Sequence, residues 1–193
     1  MMLLITGCGH SGTKFVAELF QIKHEPRLSD YQVFVPAWHN KEISIRYVRE
    51  NFTGEERESN SFLIPHIEAI LEFFPEANIF HLVRDPRKVV RSFMSNGLYS
   101  NDGIDYHNVK LDVPNFENLS QFEKCCWYWR VVNEKLRSFK FPLIRLEDLK
   151  GKPINAKPHS FPSWEEWTDE QKRQFNEILG DILPYYGYEK IKI

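Results

Sequence analysis

Two clusters of residues carry most of the chemistry legible in this chain. The first follows an apolar run, Leu3-Leu4-Ile5-Thr6, and reads Gly7-Cys8-Gly9-His10-Ser11-Gly12-Thr13-Lys14. A strand that ends in a Gly-rich turn and opens a helix aims backbone N–H groups at one point. The helix end adds partial positive charge there, so the segment is built to hold a phosphate or a similar anion. The same turn also serves chain geometry alone, with no ligand. Its residues nearly spell G-x-x-x-x-G-K-[ST], but the last two are transposed to Thr13-Lys14. In a nucleotide hydrolase the lysine reaches the terminal phosphates and the next hydroxyl holds Mg²⁺. With the two exchanged, neither type stands in its place, and the loop suits anion binding better than Mg²⁺-dependent hydrolysis.

The second cluster is Arg84-Asp85-Pro86-Arg87-Lys88-Val89-Val90-Arg91-Ser92, directly after the apolar run that ends at Val83. An arginine at the carboxyl end of a strand stands where α/β sheets place their ligands. Ser92 follows eight positions later, on the helix that Asp85-Pro86 opens. A forked, permanently charged guanidinium and a directional hydroxyl can converge on one phosphate. The competing reading is a solvated basic helix face.

The elements that must hold these residues can be read from hydrophobic period and cap residues. Leu3 to Thr6 reads as a buried strand, followed by a helix with Val16, Leu19 and Phe20 on one face. Ile22 to His24 is a short second strand ending in Glu25-Pro26, and residues 27–61 read as loops or short helices around a site. Ile67, Ile70, Leu71 and Phe74 repeat with helical spacing up to Pro75. Ala77 to Val83 is a strand buried on both faces, and Asp85 caps the next helix with Pro86 in its first turn. Residues 97–117 form a long Asn/Asp/Gly-rich loop. Ser120 with Glu123 makes a capping box for a helix that turns Phe122, Cys126, Trp129, Val132 and Leu136 inward. Phe141 to Leu146 is a strand, 150–163 a loop, and Thr168 with Gln171 caps a last helix carrying Phe175, Ile178, Leu179 and Ile182. Strands alternating with helices predict an α/β fold, a parallel sheet covered by helices on both faces.

The 193 residues fit a single domain spanning 1–193, and the net charge of −2 gives no global attraction to nucleic acid or an anionic membrane. Any anion site is therefore local. Aromatic residues make up 15% of the chain, which suits either a bulky core or an aromatic-lined cleft. The three cysteines, Cys8, Cys125 and Cys126, offer no disulfide framework and no metal or redox spacing. The apolar start is too short for a signal peptide or a membrane span, so the expected location is cytoplasmic.

Taken together the motifs resemble the PAPS-dependent sulfotransferase family, whose donor is 3'-phosphoadenosine 5'-phosphosulfate (PAPS). The family has an (Arg/Lys)-Ser-Gly-Thr loop after its first strand, and a second element with Arg, Asp-Pro-Arg and a Ser. Here Phe74-Pro75-Glu76-Ala77-Asn78-Ile79-Phe80-His81-Leu82-Val83-Arg84-Asp85-Pro86-Arg87 looks like bacterial and carbohydrate-type members. Arg145-Leu146-Glu147-Asp148-Leu149 resembles their Arg-Tyr-Glu-Asp-Leu, and Trp167-Thr168 through Tyr186-Gly187-Tyr188 is similar to their closing helix and Gly-Tyr. The chain departs from the pattern at His10, where the family carries Arg or Lys, and it lacks a clear Arg-Lys-Gly element. Lys14 is expected to supply fixed positive charge in the first case, and Lys152 or Lys157 to substitute in the second.

The resemblance implies a P-loop NTPase-like sulfotransferase fold, and in-line transfer of a sulfuryl group from PAPS to a hydroxyl or amine, with no metal. It assigns Gly9, His10, Ser11, Gly12, Thr13 and Lys14 to the 5'-phosphosulfate, and Arg84 and Ser92 to the 3'-phosphate. His10 or Lys14 would neutralise the bridging oxygen. Glu25 takes the position of the general base, with Glu58, His39 and His66 as rivals and His24 as its orienting neighbour. The acceptor is a small molecule or a glycan, with Tyr31, Phe34, Trp38, Tyr99 and Tyr106 expected around it. Two other readings stay open, a P-loop kinase of a nucleoside or small metabolite, and a family member that binds the nucleotide without catalysis.

Overall fold

The computed structural model describes residues 1–100, 106–151 and 158–193. In chain order the elements are β1 (Leu3–Gly7), α1 (Thr13–Leu19), β2 (Lys23–His24), α2 (Ser29–His39), α3 (Lys41–Asn51), β3 (Arg57–Ser59), α4 (Ile67–Phe73), β4 (Asn78–Val83), α5 (Pro86–Asn96), α6 (Gln121–Ser138), β5 (Leu143–Arg145) and α7 (Asp169–Leu179). Among the described residues the strands form one sheet in the order β2-β3-β1-β4-β5, with every pair parallel. The fold is α/β, a parallel sheet flanked by helices.

Period-two alternation along the central strands feeds two separate cores. Leu4, Ile79 and Val83 join the larger one, with Val89, Val90 and Phe93 of α5 and Trp129 and Val132 of α6. Ile5 and Leu82 point the other way, onto Phe15 and Val16 of α1 and onto Leu146. The predicted caps hold. Asp85 accepts from the Arg87 N–H, and both expected capping boxes, Ser120 with Glu123 and Thr168 with Gln171, are closed.

The structure differs from the sequence expectation in four places. Leu19 and Phe20 are exposed, because α1 ends at Leu19 after two turns and buries Phe15, Val16 and Ala17 instead. Residues 27–61 hold two eleven-residue helices and a strand rather than loops or short helices. The strand β3 reads Arg-Glu-Ser and has no apolar signature, yet Glu58 and Ser59 are buried. Third, His66, which the helical spacing from Ile67 leaves unplaced, is fully buried in a 3-10 turn, Ser61–His66, that precedes α4. Fourth, β5 is shorter than the predicted Phe141–Leu146. Lys152 and Lys157 lie outside the described residues. Among the described residues no helix is long and apolar enough to cross a membrane.

Candidate functional site

β1 and β4 are neighbours, with Gly7 opposite Leu82, so their carboxyl ends deliver the Gly-rich loop and Arg84 to one spot. The strand order changes direction here. The chain leaves β1 for β2 and β3 on one side and crosses to β4 on the other, which makes the crevice a topological switch point. Gly7 permits the approach, since a Cβ there would stand 2.0 Å from the Leu82 carbonyl oxygen. Gly12 adopts φ 92° at the start of α1, where Leu146 covers it.

Within the loop His10 takes a left-handed backbone, φ 63°. Its carbonyl accepts a hydrogen bond from Arg84 Nη1 at 2.9 Å, and its Nδ1 lies 2.7 Å from Ser92 Oγ. The two clusters that the sequence keeps apart are thus joined directly. Ser11 is fully buried, and its hydroxyl has no partner among the described residues. A buried hydroxyl without a partner costs roughly 1–3 kcal/mol, a penalty that an anion oxygen in the loop would relieve. Thr13 Oγ1 is 3.1 Å from His24 Nε2, which ties the loop to β2. Lys14 is exposed.

Arg84 is half-buried, and burial lowers its pKa while Glu147, Asp85 and Tyr188 pull the other way. None of those carboxylates is close enough to form an ion pair with it. Asp85 is occupied by the fork of Arg87, and Glu147 by the Asp85 N–H at 3.0 Å and the Tyr188 hydroxyl at 2.8 Å. Trp129 Nε1 fixes the Arg84 carbonyl at 3.2 Å. The Arg145–Leu149 segment and the closing Gly187-Tyr188 therefore buttress the loop and Arg84 from behind. Nearby, Phe161 is held by Arg91 Nε at 3.0 Å and by Ser95 Oγ at 3.0 Å. Two residues before it stands His159, whose pKa is lowered by burial and by the positive charge of Arg91, Arg84 and His10. Arg91, Arg84 and His10 thus lie within electrostatic reach of His159, and among the described residues Arg84 has no carboxylate in ion-pair contact. His159 carried no signal in the sequence, being one residue in a loop whose lysines are more conspicuous.

On the β2 side Glu25 also has a left-handed backbone, φ 40°. Such positions are costly and tend to be kept where function needs them. Its Oε1 accepts from Ser61 Oγ at 2.7 Å and from the Ser61 N–H at 3.4 Å. Its Oε2 accepts from the Tyr31 hydroxyl at 3.3 Å and lies 3.7 Å from His24 Nε2. Burial and the Glu25 charge push the Tyr31 hydroxyl up to about 12. Ser61 Oγ is also 3.1 Å from His107 Nε2, and the His107 ring packs flat enough on Gly9 that a Cβ there would stand 2.7 Å from that nitrogen. Glu25 is thus connected to the loop twice, through His24 to Thr13 and through Ser61 and His107 to Gly9. Ser61 and His107 carry no signal in the sequence; each reads as an ordinary loop residue.

A profile of the sulfotransferase family matches residues 24–155. The chain belongs to the sulfotransferase family. The matched span contains Glu25, Arg84, Ser92 and the Arg145–Leu149 segment, and it begins beyond the Gly-rich loop, so the loop is a separate observation. Family membership supports sulfuryl transfer as the general activity. No curated protein matches the chain.

The other carboxylate and the histidines expected as bases sit in different surroundings from Glu25. Glu58 is buried on β3 and held by Arg27 Nη1 at 2.8 Å, by Arg27 Nη2 and by Asn60 Nδ2 at 3.1 Å. Burial raises its pKa against the pull of Arg27. Burial would by itself depress the Arg27 guanidinium, but Glu58 and Asp30 hold its pKa above the ordinary value. Tyr47 and Asn60 complete this network on Asp30, and the pairing explains how so polar a strand is buried. His66 Nδ1 bonds Ser44 Oγ at 3.0 Å, and burial together with Arg27 pushes its pKa down to about 3. His39 is exposed at the end of α2 and joins none of these contacts. Among the described residues no group of His, Cys, Asp or Glu is placed to hold a metal ion.

Of the aromatics expected around an acceptor, Tyr31 donates to Glu25 and lies against Tyr106, ring centroids 4.9 Å apart and planes tilted by 59°. Phe34 is fully buried, and Tyr99 donates to the Val109 carbonyl at 2.7 Å. Trp38 packs at the far end of α2, where a shallow cavity of about 280 Å³ is lined by His39, Ser44 and Lys135.

Proposed function

We propose that this sulfotransferase takes its sulfuryl group from PAPS and passes it to a hydroxyl or amine of a small molecule or glycan. The observation that carries the reading is Arg84, a desolvated guanidinium with no carboxylate partner among the described residues, at a switch point and bonded to the phosphate-type loop. An unpaired cation taken out of water costs several kcal/mol, and a bound dianion repays that cost.

In this reading the N–H groups of Gly9 to Thr13 hold the 5' end of the donor at the start of α1. Arg84 and Ser92 hold its 3'-phosphate, and Arg91 adds to the positive field. His10 lies between the two groups and donates to the leaving oxygen as the sulfur–oxygen bond breaks. Glu25 removes the acceptor proton through Oε2, the oxygen that Ser61 does not bind and that the Tyr31 hydroxyl meets at 3.3 Å. The acceptor approaches past Tyr31 and Tyr106, a rim suited to stacking on a sugar face. The protein's work is then positioning and charge stabilisation, as in phosphoryl transfer. Thr13 bonded to His24 and Lys14 turned to solvent favour this over a Mg²⁺-dependent kinase.

The test is incubation of the protein with ³⁵S-labelled PAPS and a panel of glycans and phenols. The expected result is one 3'-phosphoadenosine 5'-phosphate (PAP) released for each label transferred, with no metal added. Phosphoryl transfer from ATP that requires Mg²⁺ would overturn the proposal, and donor binding with no transfer to any acceptor would favour a non-catalytic binder.

A further inference from the structure

Ser61 is pinned between two polar groups from distant parts of the chain. Asn60, just past β3, donates its N–H to the Ile5 carbonyl at 2.9 Å and caps the following turn through the Phe62 N–H, also at 2.9 Å. This fixes the Ser61 backbone at the carboxyl edge of the sheet. Its hydroxyl then stands 2.7 Å from Glu25 Oε1 and 3.1 Å from His107 Nε2. A hydroxyl has one proton to give, and an ionised carboxylate only accepts. Ser61 therefore spends its proton on Glu25 and must accept from His107, which requires that His107 carry its proton on Nε2.

His107 is held to that task. It is 6% exposed, its ring stacks on Phe62 at 4.6 Å and 19°, and Phe34 closes one edge at 5.5 Å. Among the described residues, the titratable groups that face it are His10 of the loop at 6.1 Å between ring centroids, Tyr128 of α6 at 6.0 Å, and Glu25 through Ser61. Gly9 leaves room for the ring where any side chain would displace it.

We propose that His107 is a positioning residue. Through Ser61 it orients the Glu25 carboxylate, tying down Oε1 and presenting Oε2 to the acceptor hydroxyl. The proton leaves the acceptor for Oε2, and no proton passes through His107. The inference rests on the reading of Glu25 as the base. A reacting group displaced by about 1 Å loses roughly a hundredfold in rate, so this alignment is worth having.

The test compares His107→Gln, whose amide N–H replaces the Nε2 donor, with His107→Leu, which keeps the bulk and removes the donor. Turnover is read as PAP release from saturating PAPS, with water or an acceptor taking the sulfuryl group, and PAP affinity is read by calorimetry. His107→Leu and Ser61→Ala are expected to lower kcat about 10- to 100-fold, with PAP Kd within about twofold and His107→Gln near wild type. In a Glu25→Gln background His107→Leu should cost nothing further, because its effect runs through Glu25. An equal loss in that background would overturn the proposal. So would a crystal structure of His107→Leu in which Glu25 keeps its wild-type orientation, a readout that needs no turnover. Failure of wild-type protein to bind PAP would instead strike the donor assignment, while Glu25 orientation in the variants would still decide the role of His107.

Discussion

Replacing Arg84 by Ala should weaken two ligands by different amounts. Arg84 anchors the loop through the His10 carbonyl at 2.9 Å, and in the proposed function it also forks onto the 3'-phosphate. Losing the loop anchor costs about 1.5 kcal/mol, or roughly tenfold in affinity, for any nucleotide that uses the loop. Losing a charge-assisted fork on a phosphate dianion adds about 3 kcal/mol, or roughly a hundredfold more. Calorimetry with 5'-AMP, which lacks the 3'-phosphate, should therefore show about a tenfold loss, and with PAP about a thousandfold. Arg84→Lys keeps the charge but has no fork, so it should fall between wild type and Ala for PAP. Equal losses for AMP and PAP would refute the reasoning, because Arg84 would then serve the loop alone.

Other outcomes follow from the same geometry. Glu25→Gln should lower kcat by about 10²–10³-fold while PAP Kd stays within about twofold, checked by label transfer and calorimetry on one preparation. Gly9→Ala puts a methyl 2.7 Å from His107 Nε2. It should cost about 1–3 kcal/mol in urea unfolding and reduce turnover along with it. Stability should also fall in acid. Burial pushes His66 down to about 3 and His81, bonded to Asn133 at 2.8 Å, down to about 4. Below the unfolded value of about 6.5 the unfolded chain binds protons that the folded chain refuses, at about 1.4 kcal/mol per pH unit for each group. The loss runs from about pH 6.5 down to the folded values, and unfolding free energies at pH 7.5, 6 and 5 should decline in that order. His81→Asn should flatten the slope; an unchanged slope would mean that His81 titrates normally.

Much of the frame was legible because its signals are local. Caps at Asp85, Ser120 and Thr168, the apolar run into Val83 and the Gly-rich turn each act over a few residues, and each is found where the sequence puts it. The region 27–61 was opaque for a physical reason. Its strand is buried through an ion pair, Arg27 on Glu58, and a hydrogen bond from Asn60 to Asp30, so it has no hydrophobic period to read. The basic cluster was half legible. Arg84 and Ser92 carry a spacing, whereas the His10–Ser92 bond joins residues 82 apart and His159 arrives from a loop without a pattern. Glu25 was reached by resemblance, but the Ser61 and His107 contacts that hold it exist only once β2, β3 and the loop at 107 are folded together.

The central claim is tested most directly by titrating PAP into the wild-type protein in EDTA, with ADP in Mg²⁺ as the comparison. Micromolar binding of PAP that needs no metal and that ADP does not match is the predicted result, with a 3'-phosphate recognised beside Arg84 and Ser92. Tighter binding of ADP, dependent on Mg²⁺, would contradict the account and assign the loop to a kinase-type site.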